Sequence, residues 1–219
     1  SYNKKMAKTT FILVRHGETH WNAKKKLQGQ VDIPLTAKGR REAKAVGAYL
    51  QKLPIDVVYS SPLKRAYDTA HEIGKHQNRK PITDPLLLER AFGTLEGISY
   101  DNLWKEYPRF GWPMALLYPW YAPNDAELLI DVEKRSAEFV KKAVSQHRGK
   151  TIVVVSHGVT LRTLITHLLG MPRSFNTDYA MKNASITLIR YEEDAEAELH
   201  LLGSTAHLKE KRLKAQSRR

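Results

Sequence analysis

Apolar residues along this chain alternate between two patterns, short unbroken runs and longer segments striped at helical spacing. Thr10–Val14 (TFILV), IDVVYS at 55–60 and TIVVVSH at 151–157 are β-branched and apolar runs, as in strands buried on both faces. Thr36–Leu53 carries Ala43, Val46, Gly47, Leu50 and Leu53 on one helical stripe, and Asp125–Arg148 carries Leu129, Val132, Phe139, Val140 and Val144. In SPLKRAYDTAHEIG (61–74), Ser61 suits an N-cap, Pro62 the first helical position and Gly74 the end. GVTLRTLITHLLG (158–170) reads as a helix stopped by Gly170, and ASITLIRY (184–191) with ELHLLG (198–203) as a late strand pair.

Strands alternating with helices predict an α/β fold, a three-layer sandwich with a mostly parallel central sheet and helices on both faces. With 219 residues a single domain is expected over 1–219, its core from about 9 to 208. One stretch breaks the alternation. Tyr107–Pro123 (YPRFGWPMALLYPWYAP) is too aromatic for an ordinary loop, so residues 99–124 are read as an insertion, either a lid over a site or a structural cap on the sheet.

Composition narrows the chemistry. The chain has no cysteine, which removes disulfides, thiolate metal sites and thiol nucleophiles together. No apolar run reaches the roughly 18 residues of a membrane span and none resembles a leader ahead of Phe11, so a soluble cytoplasmic protein with no membrane partner is expected. Residues 1–5, ahead of Met6, are left out of the fold reading. The formal charge of +13 concentrates in Lys24–Lys26 and the basic tail Lys209–Arg219, read as a solvated loop and a frayed end. No helix-turn-helix, zinc-finger or RNA-binding signature accompanies it, so no specific nucleic-acid partner is expected.

In open parallel sheets ligands sit beyond the carboxyl ends of the strands. Arg15 and His16 stand at one such end, Ser156 and His157 at another, and Arg65 opens the helix after a third. Each alone has an ordinary structural explanation. Together, two histidines and two arginines at one edge call for an anion, because arginine neighbours repel a metal ion while guanidinium forks and helix N-termini suit phosphate. No metal and no cofactor are expected.

LVRHGETHWN (13–22), SSPLKRAYDTA (60–70), LLLERAFGTLEG (86–97) and VVVSHGVTLR (153–162), in that order, resemble the histidine phosphatase superfamily, with its phosphoglycerate mutase-like fold. The resemblance runs from about Thr9 to the STAHL segment at 204–208. It implies that His16 is the nucleophile, forming a phosphohistidine, with its other ring nitrogen held by a backbone carbonyl near Gly17. It further implies that Arg15, Arg65 and His157 clamp the transferring oxygens and that Glu89 is the proton donor, a role eased by the nearby phosphate dianion, which disfavours a second negative charge. Asn22 and Gln28 are implied phosphate contacts with Thr19 beside them, and Gly17 and Gly158 are expected to permit tight turns. Glu18 is read as a partner for an arginine.

The short interval between Glu89 and His157 lacks the basic insertion of the mutases, which favours the broad-specificity phosphatase branch, metal-independent and acting on small phosphomonoesters. A phosphoglycerate mutase-type transferase and a module binding a phosphopeptide or acidic partner stay open as alternatives. The family's Gly-Glu-Ser triplet is replaced by Asn124-Asp125-Ala126-Glu127, with Glu127 as its partial substitute. The late strands could pair two subunits as a homodimer, or be covered by the C-terminal segment.

Overall fold

A computed structural model of the chain describes residues 8–106, 122, 125–172, 181–193 and 195–209. Most of the aromatic insertion and of the basic tail, including Phe110, Trp112, Tyr118, Trp120 and Tyr121, lies outside the described residues. β1 (Thr9–Arg15), β2 (Val57–Ser60), β3 (Ile82–Thr83), β4 (Thr151–Ser156), β5 (Ile186–Tyr191) and β6 (Glu198–Ser204) form one sheet in the order β3-β2-β4-β1-β5-β6. The pairs β1–β4, β2–β4 and β2–β3 are parallel, whereas the late pair β5–β6 is antiparallel and β5 joins β1 antiparallel.

Alternation along the central strands sorts the core into two layers. Phe11, Leu13, Ile152 and Val154 pack against α5 (Leu129–His147) and α6 (Gly158–Leu169), through Phe139, Val140, Leu161 and Leu164. Ile12, Val14, Val153 and Val155 face the opposite way, onto Val46 and Leu50 of α2 (Ala37–Leu50) and Ala66, Ala70 and Ile73 of α3 (Lys64–Gln77). Phe11 to Val14 are fully buried, each large side chain worth about 1.5–3 kcal/mol of burial. A smaller cluster of Leu27, Phe92, Leu95 and Leu103 ties the segment before α4 (Tyr100–Glu106) to the chain after the one-turn α1 (His20–Ala23).

Several expected boundaries move. Thr36 caps α2 by accepting from Gly39 N at 3.0 Å, but the helix ends at Leu50 and Leu53 is exposed rather than on the buried stripe. The third helix begins at Lys64, not Pro62, because the Ser61 hydroxyl caps Leu63 N before the helix starts. It ends at Asn78, which takes the left-handed conformation at φ 52°. Gly74 lies inside the helix, where a Cβ would stand 2.2 Å from the Arg79 carbonyl oxygen. The long helix starts at Leu129 rather than Asp125, whose φ of 59° is left-handed. Gly170 does end α6, at φ 61°.

Candidate active site

The parallel register sets Arg15 opposite Ser156, so the two strands release His16 and His157 side by side, with ring centroids 5.1 Å apart. Both rings are buried, at 2% and 0% exposure. The turn after β1 is fixed from three sides. Gly17 N donates to Thr69 Oγ1 of α3 at 3.1 Å, Glu18 N donates to Glu42 of α2 at 2.8 Å, and Asn183 donates to the carbonyls of His16 and Gly17 at 3.1 and 3.3 Å.

Hydrogen-bond logic settles both tautomers. A carbonyl only accepts, so His16 Nδ1, 2.7 Å from the Gly17 oxygen, carries the proton and Nε2 keeps its lone pair. Arg65 Nε only donates, at 3.2 Å to His157 Nδ1, so His157 Nε2–H donates to Ser61 Oγ at 2.8 Å. Burial, then the arginines, hold both histidines well below the usual range, so both are neutral at pH 7.

The two arginines are held differently. Arg65 is fully buried and reaches the Gly29 and Val31 carbonyls at 2.6 and 2.7 Å, and burial brings its guanidinium down to about 10. Arg15 donates to the Met181 carbonyl, while its buried Nε makes no hydrogen bond; desolvation by burial also lowers its basicity. Buried cations with an unsatisfied donor favour an anionic ligand.

Glu89 approaches from another direction. Its carboxylate, 8% exposed as a residue, accepts from Val159 N and Thr160 N at 3.2 Å each, at the N-terminus of α6, and from its own neighbour Arg90 N at 2.9 Å. A Cβ on Gly158 would lie 3.8 Å from Glu89 Oε2 and 3.9 Å from Arg15 Cζ, so glycine, acid and arginine line one place. The segment bearing Glu89 is braced by Glu127, which accepts from Ala91 N at 3.1 Å and pairs with Arg135 Nε at 2.8 Å. Arg135 in turn donates to the Leu86 and Leu88 carbonyls at 2.8 and 2.6 Å.

Thr19, Asn22 and Gln28 form a set of their own. Thr19 and Asn22 make a reciprocal capping box, Thr19 Oγ1 donates to Gln28 Oε1 at 2.7 Å, and Asn183 donates to Asn22 Oδ1 at 3.0 Å. Neither Gly17 nor Gly158 has positive φ; a Cβ on Gly17 would meet the Gly39 carbonyl oxygen at 2.4 Å, so what it permits is direct contact between backbones. Glu18 bonds Lys38 and Thr36 rather than an arginine, and acts at the foot of α2. Asn183 and Arg135 carry no motif signal, whereas Ser61 and Thr160 stand inside two of the motifs, Ser61 as a cap. Among the described residues no group of three or more histidine or acidic side chains is placed to hold a metal ion.

The arrangement offers a neutral ring nitrogen as nucleophile, two guanidinium groups for anionic oxygens and a carboxyl group as proton carrier. Comparison with known proteins identifies the family. Phosphoserine phosphatase 1 of Hydrogenobacter thermophilus is 34% identical over 204 residues, spanning 91% of this chain and 94% of that protein. A probable phosphoglycerate mutase GpmB of an Enterobacter species is also 34% identical, over 83% of this chain and 84% of its own. Among solved structures, mycobacterial glucosyl-3-phosphoglycerate phosphatase superposes with a TM-score of 0.81 at 28% identity, over 90% of this chain and 99% of that one. Phosphoserine phosphatase of Entamoeba histolytica, in complex with 3-phosphoglyceric acid, gives 0.79 at 33%, over 91% and 99%. With the family model matching residues 11–204, the chain belongs to the histidine phosphatase superfamily, branch 1.

Proposed function

We propose that this protein is a phosphatase that hydrolyses small phosphomonoesters through a phosphohistidine on His16. The observation that carries the reading is the His16 ring, its Nδ1–H spent on the Gly17 carbonyl, its Nε2 lone pair kept by burial, and Arg15 with an unsatisfied buried donor beside it. Nε2 attacks phosphorus as the bond to the alcohol oxygen breaks, and Glu89 protonates that oxygen. In the second half, water attacks the phosphohistidine and gives its proton to Glu89, returning free His16 and inorganic phosphate. Arg15 and Arg65 stabilise the oxygens on which charge concentrates during each in-line displacement. The relatives named for phosphoserine and for glucosyl-3-phosphoglycerate support a small phosphorylated metabolite as substrate.

Phosphate release from p-nitrophenyl phosphate, phosphoserine and sugar phosphates, with EDTA present, tests this in wild type and His16→Ala. Activity that survives the chelator, an acid-labile phosphoenzyme in wild type, and a loss of at least about 10³-fold in His16→Ala are expected. Isomerisation of phosphoglycerates without net phosphate release would replace the reading with the mutase one. Tight phosphopeptide binding without turnover would replace it with a binding module.

A further inference from the structure

The LEG triplet at 95–97 ends one of the recognisable motifs, yet its carboxylate has no part in the chemistry above. Glu96 Oε1 accepts from Gln30 N at 3.0 Å and from Phe92 N at 2.9 Å, and Oε2 accepts from Val31 N at 3.2 Å. Two loops distant in sequence thus converge on one carboxylate, and both lead to the reacting groups. The peptide group joining Gly29 to Gln30 gives its N–H to Glu96 and its carbonyl to Arg65, at 2.6 Å, so it lies between carboxylate and guanidinium. Val31 repeats the pattern, its N–H toward Glu96 and its carbonyl toward Arg65. On the other side, Phe92 N anchors the chain three residues beyond Glu89, and the Gln30 side chain donates to the Glu89 carbonyl at 2.9 Å.

We infer that Glu96 is a positioning residue, which sets Arg65 and Glu89 relative to one another by holding residues 29–31 and 92 on a single carboxylate. The inference rests on the phosphatase reading and deepens it. Gly29 carries its signature: at φ 54°, a Cβ there would fall 1.9 Å from Glu96 Oε1, so only glycine leaves the carboxylate where the loop needs it. An amide at position 96 turns a donor toward backbone donors that already point at it, and the loops shift. Displacements of about 1 Å around a reacting centre cost up to roughly 10²-fold in rate.

The test compares Glu96→Gln and Gly29→Ala with wild type on two substrates. Phosphoserine needs a proton on its leaving oxygen, while p-nitrophenolate leaves without one. Expected for each variant is a kcat loss of about 10- to 100-fold on phosphoserine, a several-fold smaller loss on p-nitrophenyl phosphate, and KM within about threefold. Weaker inhibition by vanadate, reporting the Arg65 clamp, is expected alongside. The double variant should be no worse than the poorer single one, since both break the same tie. An unchanged kcat, a loss seen only in KM, or equal losses on both substrates would overturn the inference. Wild type inactive on both substrates would sink the phosphatase reading instead. Calorimetric vanadate binding then decides about Glu96: a weakening of fivefold or more in Glu96→Gln upholds its hold on Arg65, and unchanged binding refutes it.

Discussion

The proposed nucleophile and the proposed proton donor reach the same place by different construction. His16 and His157 are delivered by neighbouring parallel strands whose register is set along their whole buried length, and the turn after β1 rests on α2 through the Gly17–Gly39 backbone approach and on α3 through a hydrogen bond to Thr69. Glu89 lies in a segment between β3 and α4 that contains only two short 3₁₀ turns, Pro85–Leu87 and Gly93–Leu95. Its place is fixed by polar ties, from α6 N–H groups, from Glu127 with Arg135, and from Glu96. A sheet makes position a by-product of burying apolar side chains, whereas an irregular segment must have each carbonyl and amide satisfied by a specific partner.

The contrast is broken most strongly by Glu89→Gln. Loss of the proposed proton donor should lower kcat on phosphoserine by about 10²- to 10³-fold, with a much smaller loss on p-nitrophenyl phosphate. Steady-state kinetics on the pair checks it, and equal losses would mean that Glu89 does not protonate the leaving group. Next in size is Arg135→Met, which removes the brace but leaves the strands alone. A destabilisation of about 1–3 kcal/mol and a kcat loss of roughly tenfold are expected, measured by denaturant unfolding and by kinetics. Full activity in this variant would show that the polar ties do not position the acid.

The smallest effect sharpens the other half. Both buried histidines titrate in the folded protein well below the ordinary value of about 6.5. The unfolded chain therefore binds protons first as pH falls through about 6.5, and stability drops with it. Above that pH both states are neutral and the two residues contribute no slope. Below it, each contributes up to about 1.4 kcal/mol per pH unit until its folded-state titration is reached. Unfolding free energies between pH 7 and 5.5 check this, and His157→Asn should have a shallower slope than wild type. An equal slope in the two proteins would show that His157 titrates normally.

The same division explains what the sequence disclosed. The strands were legible because FILV and IVVV are long unbroken runs, and the strand ends carried their histidines with them. The helix at 64–77 differs from its sequence reading at both ends because Ser61 and Gly74 do not themselves bound it. Ser61 contacts His157 and caps ahead of the helix, and Gly74 makes room for the Arg79 carbonyl. Gly17 stands in the turn after β1, and its need for no side chain comes from Gly39 on another element, which local sequence does not show. Asn183 and Arg135 escaped notice for a related reason: a bond from Asn183 to the His16 carbonyl spans 167 positions and leaves no periodicity behind.

The pairing of β1 with β4 has a consequence for how the protein is made. His16 and His157 meet only when strands separated by more than half of the chain have closed on each other. Contacts so remote in sequence are slow to form, because chain entropy is lost before they reward it. Segments such as α3 can form from local contacts, but the His16–His157 ring pair depends on a long-range closure of the sheet, and the pairing of β1 with β5 reaches farther still. A nascent chain that ends before β4 carries His16 and Arg65 without His157, so the cluster is completed only after more than two thirds of the sequence has emerged.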